Sequence, residues 1–318
     1  MKEVIIEDNN YEEGFLPQPK ELVKNKYNLI IRFIFFIFII VIFRQSYQIN
    51  EDIGPFNKTN KINLDYVRRN YGSFIDSLPY YNHTYITNKT IFWCWFQGFD
   101  TIPKLALAGL NSIKQNLKDY NIIILNETNI NEYVDIPRYI MYKYKKGMFT
   151  PTHFSDILRL ELLNKYGGTW IDASVLITKY DPRFYDNILF FFGERKSVGC
   201  IGSSWFITSE KGSPILRTTL DLLHEYWRKC NRLYNYFLLH LFIKMACDKY
   251  NADYKKVLFE SNIPPHVLQS QLKNKFNETL YNEILEKSSV HKLTVHIPDN
   301  EFEKNTFYSH IIDEYYPK

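Results

Sequence analysis

The chain has 318 residues, of which 45% are hydrophobic and 23% charged, with 25 Tyr and 24 Phe but only 12 Gly and 13 Pro. That composition buries a substantial core and excludes collagen-like, linker-like and low-complexity classes. A formal net charge of +4, from 39 basic against 35 acidic residues, is too balanced to argue for nucleic acid, although a local basic pocket for an anionic ligand fits it. The four cysteines, Cys94, Cys200, Cys230 and Cys247, show no CxxC spacing, so neither a zinc site nor a disulfide scaffold is readable.

Residues 1–26 are polar and read as a cytoplasmic tail. Tyr27 to Phe43 (YNLIIRFIFFIFIIVIF) is an apolar run interrupted only by Asn28 and Arg32. As a helix it spans about 26 Å, the short end of what crosses a bilayer. Lys20, Lys24, Lys26 and Arg32 precede or open it, whereas Arg44 is soon followed by Glu51 and Asp52. The positive-inside rule then predicts a single-pass signal anchor of type II, with residues 44–318 in the lumen of the Golgi or endoplasmic reticulum. Five N-glycosylation sequons, at Asn57, Asn82, Asn88, Asn126 and Asn277, all fall in that part.

Residues 44–88 read as a stem with some helix around Leu64 to Leu78. A folded domain over 89–318 follows. Thr90 to Phe96 is a buried strand ended by Gln97-Gly98, and Pro103 to Leu117 repeats apolar residues at helical spacing. Asn121 to Leu125 predicts a strand, and Ile130 to Tyr133 a short helix. Thr150-Pro151 opens a longer helix, with a hydroxyl at the N-cap and Pro at the first position, and Gly167-Gly168 stops it. Thr169 to Ile171 is then a strand that delivers Asp172 at its end. Strands at Ile188 to Phe192 and Ser204 to Thr208, then helices at Pro214 to Cys230 and Tyr234 to Tyr250, complete the pattern. Strands alternating with helices predict an α/β domain with a mainly parallel sheet, whose ligands sit beyond the carboxyl ends of the strands.

The densest constellation is Thr150 to Val175, TPTHFSDILRLELLNKYGGTWIDASV. Asp156 and Arg159, three apart, project from one helix face, which by spacing alone describes a surface ion pair equally well. The return of the chain through Gly167-Gly168 to Asp172 at a strand end favours a site. SDILR, KYGG and WIDAS resemble the sugar-nucleotide segment of glycosyltransferase family 32, in the pattern of its capsular polysaccharide synthesis branch. IFWCWFQG at Ile91 to Gly98, Tyr133 to Pro137, SWFI at Ser204 to Ile207, EYW at Glu225 to Trp227 and the Tyr236 to His240 region resemble the same branch in the same order, over roughly residues 90–300.

That resemblance implies a GT-A fold, one Rossmann-like domain, and a retaining transfer of a sugar from a nucleotide-diphosphate donor, a UDP- or GDP-sugar, to a glycan or glycolipid hydroxyl. It implies that Trp95 stacks on the donor base, that Asp156 and Arg159 orient the donor, that Trp170 flanks it, and that Asp172 is the first aspartate of a DxD motif. Ser174 stands where that motif carries its second carboxylate. A divalent cation, Mn²⁺ or Mg²⁺, is expected on Asp172, Ser174 and His291, with Lys292 on the phosphates, but the serine puts metal dependence in doubt because a hydroxyl is the poorer ligand. The same serine motivates a second reading, a membrane protein that binds sugar nucleotide or glycan without turnover. A third, a tethered protein serving interaction alone, predicts no response to sugar nucleotides.

Overall fold

The computed structural model describes residues 53–193, 201–255, 257–295 and 303–317. The chain divides into two units, Met1–Gly54 and Pro55–Lys318. The apolar run at 27–43, and with it the expected anchor, lies outside the described residues. Among the described residues no helix is long and apolar enough to cross a membrane.

The second unit is built on a six-stranded sheet. Its strands are β1 (Thr90–Cys94), β2 (Asn121–Leu125), β3 (Gly168–Ile171), β5 (Leu189–Phe192), β6 (Phe206–Ser209) and β7 (Leu258–Glu260), in the order β2-β1-β3-β6-β5-β7. A two-stranded sheet pairs β4 (Val175–Ile177) with β8 (Val290–Lys292). β1 pairs in parallel with β2 and β3, β5 pairs in parallel with β7, and β6 is antiparallel to both β3 and β5. Within this sheet β6 alone therefore opposes a common strand direction. The expected α/β architecture with a mainly parallel sheet is the one observed. The carboxyl ends of β1, β2, β3 and β5 fall on one edge, together with the amino end of β6.

Alternation along the strands splits the sheet into two apolar faces. Phe92, Trp170, Phe191 and Ile207 face a core shared with the helices Ile53–Ser77, Pro151–Tyr166, Pro214–Lys229 and Leu238–Lys249. Ile91, Trp93, Ile171, Phe190 and Phe206 face the opposite side, against the helix Lys104–Asn116 and strand β4. A third cluster gathers Leu176, Leu268, Leu272, Ile284, Leu293, Phe307 and Ile311 beneath the helices of the C-terminal third.

Most predicted elements lie within two residues of their expected ends. The helix expected within the stem runs over Ile53–Ser77, and its Leu64, Val67, Tyr71 and Ile75 recur at helical spacing and pack into the first core. The helix expected from Tyr234 begins only at Leu238. The Pro151–Tyr166 helix carries proline at its start as predicted, but the Thr150 hydroxyl caps no backbone N–H and instead lies 2.8 Å from His153 Nδ1. Its stop is the Gly-Gly pair. Gly167 and Gly168 take φ of 73° and 94°, and a Cβ on Gly168 would lie 2.5 Å from the Thr90 carbonyl oxygen, so the chain reverses onto β1 only with glycine there. Cys94, Cys230 and Cys247 are thiols, and Cys230 meets the Tyr71 hydroxyl at 3.6 Å.

Candidate active site

The Pro151–Tyr166 helix is buried nearly all round, between the sheet and the Pro214–Lys229 helix, so Arg159 is only 2% exposed. A guanidinium that deep needs its donors satisfied. Arg159 Nε donates to the Ser155 carbonyl at 3.0 Å and Nη2 to the Ser155 hydroxyl at 2.6 Å, while Nη1 donates to the Ser204 carbonyl. Nη2 also lies 3.3 Å from Asp156 Oδ1 and 3.7 Å from Asp172 Oδ1. The two carboxylates singled out in the sequence thus converge on one guanidinium.

Asp172 follows β3 directly. Its backbone N–H donates to the Trp205 carbonyl at 2.9 Å, which ties it to the chain entering β6. Trp170 Nε1 donates to Asp172 Oδ1 at 2.8 Å, and Arg159 Cζ stands 5.1 Å from the centre of the Trp170 ring. On the other side Lys292 Nζ lies 3.1 Å from Asp172 Oδ2 and donates to the Ser174 hydroxyl as well. The β4–β8 pairing delivers this lysine: Val175 opposes Lys292, and Leu293 N–H donates to the Ser174 carbonyl at 2.7 Å.

Burial would raise both acids, and the local cations decide otherwise for one of them. Among the described residues Arg159 is the one cation beside Asp156, and burial, with some repulsion from Asp172, pushes it up to about 7. Asp172 is half-buried, which also raises it, yet Lys292 first, then Arg159 and the Trp170 N–H, hold it below the usual carboxylate range. Two imidazoles nearby are shifted toward the neutral form, chiefly by burial and also by the charge of Arg159: His153, against a backbone hydrogen bond with Tyr236, is lowered, and His240 is lowered to about 4.

Trp95 lies just past the carboxyl end of β1, next to β3, with its backbone N–H on the Leu125 carbonyl and its indole N–H donated to Thr101 Oγ1 at 3.0 Å. It is half-buried on the same sheet edge. His291 is not brought to Asp172. Adjacent residues of a strand point to opposite faces, so while Lys292 reaches the carboxylate, His291 turns inward beside Leu176, fully buried, with Nε2 3.4 Å from the Thr178 hydroxyl. Burial lowers it to about 3. The shell of Asp172, Ser174 and His291 expected for a divalent cation is therefore not assembled, and among the described residues no group of three or more His, Cys, Asp or Glu could hold a metal ion. The ammonium of Lys292 occupies the oxygens that such an ion would need, so these residues do not fit it.

Sequence reasoning missed Ser155 and the Ser204 carbonyl, which fix Arg159. A serine four residues before an arginine on one helix was the readable signal for the first, whereas the second depends on the β3–β6 pairing. A cavity of about 950 Å³ elsewhere is lined by Lys179, Arg183, Glu260, Asn282 and Ser289 among others, and by none of the clustered residues. The cluster reaches solvent through Asp172 and Lys292, whose side chains are 26% and 19% exposed.

Residues 44–311 match the model of a family described as capsular polysaccharide synthesis protein. The chain belongs to that family. It is thus a member of a glycosyltransferase family, as the SDILR and WIDAS resemblance implied. Among curated relatives it is 23% identical over 164 residues to the O-glycosyltransferase braB of Annulohypoxylon truncatum, covering 46% of this chain and 39% of that one. It is 28% identical over 116 residues to an uncharacterized protein of Arabidopsis thaliana, At4g19900, covering 35% and 17%. The chain spans less than two-fifths of the length of these relatives. Solved structures with some similarity include the PaToxG glycosyltransferase, at 17% identity and a TM-score of 0.36 over 61% of this chain and 85% of that one. Another is the glycosyltransferase GlyE of Streptococcus pneumoniae, at 12% identity and a TM-score of 0.37 over 72% and 60%.

Proposed function

We propose that the protein transfers a sugar from a nucleotide-diphosphate donor, a UDP- or GDP-sugar, to a hydroxyl of a glycan or glycolipid, with retention of configuration. The observation that carries this reading is Asp172 at the carboxyl end of β3, held between Lys292 at 3.1 Å and Arg159 at 3.7 Å. Family membership and the similarity to the Annulohypoxylon O-glycosyltransferase support sugar transfer.

Breaking a glycosyl phosphate leaves negative charge on the departing diphosphate, and fixed cations in a partly dry site stabilise that charge without reorganising. Arg159 and Lys292 supply them. Trp170 would flank the donor sugar, Trp95 its base, and Asp156 a sugar or ribose hydroxyl, as either acceptor or donor of a hydrogen bond given its acidity near 7. For a retaining course the acceptor hydroxyl attacks the face from which the diphosphate leaves. No carboxylate of the cluster is assigned the role of nucleophile.

The apolar run at 27–43, with its basic N-terminal flank, supports anchoring by one helix, and a Golgi or endoplasmic reticulum lumen is the compartment that this orientation favours. The test is a panel of UDP- and GDP-sugars scored by thermal shift and by release of nucleoside diphosphate. The reading expects one donor to stabilise the protein by several degrees and to be consumed, with Asp172→Asn abolishing consumption in a folded protein. Release of nucleotide from no donor, despite binding, would favour a protein that recognises the sugar nucleotide without turnover.

A further inference from the structure

We propose that the Lys292 ammonium does the work of a divalent cation in this site, so that the donor's diphosphate is bound and its leaving charge neutralised by Lys292 and Arg159 with no metal ion. The inference rests on the sugar-nucleotide reading above and narrows it.

Three features of the site carry it. The first is the position of the charge. Lys292 Nζ bridges Asp172 Oδ2, at 3.1 Å, and the Ser174 hydroxyl, which are the first and third positions of the aspartate motif. A hard dication wants several oxygens, carboxylates above all, in a near-octahedral shell. Here one carboxylate oxygen and the hydroxyl already face a full positive charge, and the other carboxylate oxygen accepts from the Trp170 indole N–H at 2.8 Å. A dication on the same oxygens would stand beside that ammonium.

The second feature is that the lysine is built in. β8 is locked to β4 by pairing of Val175, Leu176 and Ile177 with Lys292, His291 and Val290, and by the Leu293 N–H to Ser174 carbonyl bond. The side chain is only 19% exposed, so its charge is held at one place, as a charge-stabilising group must be. The third is the alternation of the strand. It turns His291, the one imidazole of this segment among the described residues, into the core and leaves lysine at the carboxylate. A serine at position 174 is then no defect: a hydroxyl accepts a hydrogen bond from an ammonium without adding the second negative charge that would call for a dication.

In the transfer step the acceptor oxygen forms its bond to the anomeric carbon as the bond from that carbon to the phosphate oxygen breaks. The electron pair of that bond leaves on the nucleoside diphosphate, which takes up the acceptor's proton. Lys292 keeps its own proton throughout and shifts its hydrogen bonds from Asp172 and Ser174 toward the phosphate oxygens.

The experiment uses the full chain, treated with EDTA or supplied with Mn²⁺, and reads the melting temperature with UDP and with GDP, then consumption of the corresponding sugar nucleotides. The expected result is a nucleotide-induced rise in melting temperature, and a turnover, that change less than about twofold between the two conditions. Lys292→Met lowers turnover by about 10²- to 10³-fold. Lys292→Arg, which keeps the charge, retains nucleotide binding and guards against a merely misfolded Met variant. Lys292→Met combined with Ser174→Asp makes the remaining activity dependent on Mn²⁺. Stabilisation and turnover that appear only with Mn²⁺ overturn the inference and leave the sugar-transfer reading standing. A protein that responds to neither nucleotide in either condition overturns that reading, and this inference with it.

Discussion

Asp156, on the second turn of its helix, and Asp172, at the end of β3, lean on the same guanidinium, yet one is pushed up to about 7 and the other held below the ordinary range. The difference is the company each keeps. Asp156 has one cation, supplied by its own helix. Asp172 has that cation and also an indole N–H two residues away and an ammonium from a strand 120 residues further along the chain. Burial by itself favours the neutral acid, and only convergent donors from separate elements reverse it. A carboxylate kept ionised by a nearly dry set of donors marks where a charged ligand is expected.

The largest test of this contrast removes what the two acids share. Arg159→Leu leaves Asp156 with no cation and Asp172 with Lys292 alone, and a loss of about 3–5 kcal/mol is expected from denaturant unfolding, together with loss of transfer. Asp172→Asn is milder on the fold, because the amide oxygen still accepts from one of Trp170 and Lys292, and Lys292 keeps the Ser174 hydroxyl. It is expected to lower turnover by about 10²- to 10³-fold with a melting temperature near that of the wild type. An Asp172→Asn protein as active as the wild type would remove the reason for placing the reaction at β3.

Gly168→Ala probes the turn that aims β3. The added Cβ would meet the Thr90 carbonyl oxygen at 2.5 Å in a backbone with positive φ, so a loss of about 2 kcal/mol is expected on unfolding. Asp156 is tested by pH. Its acidity is weaker folded than unfolded, so the folded chain binds the extra proton between about pH 4 and 7, and this group's contribution to stability falls as pH rises through that window. Asp156→Asn should flatten the slope of stability against pH there, by at most about 1.4 kcal/mol per pH unit. An unchanged slope would place the acidity of Asp156 back in the ordinary range. The smallest effect is expected from Lys61→Ala, which breaks an exposed ion pair with Asp65 and should change unfolding free energy by less than about 0.5 kcal/mol.

The stretch from Thr150 to Val175 was the most legible. Pro151 and the Gly167-Gly168 pair bracket the helix, β-branched and aromatic residues mark β3, and the i, i+3 spacing puts Asp156 beside Arg159. The short strands β4, β7 and β8, of three residues each, carry too little periodicity to be read, and the helices Ile263–Gln271, Glu278–Lys287 and Phe307–Tyr315 went unread with them. Thr150 shows the reverse error: a correct helix start with a hydroxyl that serves a histidine rather than the backbone. His291 and Lys292, adjacent in sequence and read as a pair, part company because consecutive residues of a strand face opposite ways.

By itself the sequence determined the alternation of strands and helices, the turn that ends the Pro151–Tyr166 helix, and the residue types gathered around Asp172, because propensity, glycine conformation and apolar spacing act over a few neighbours. Tertiary structure alone decided that Lys292 reaches Asp172 and His291 does not, and that the two aspartates differ in acidity. Those outcomes depend on the register between β4 and β8 and on the burial that surrounds the cluster, both of which exist only once segments far apart in the chain have packed together.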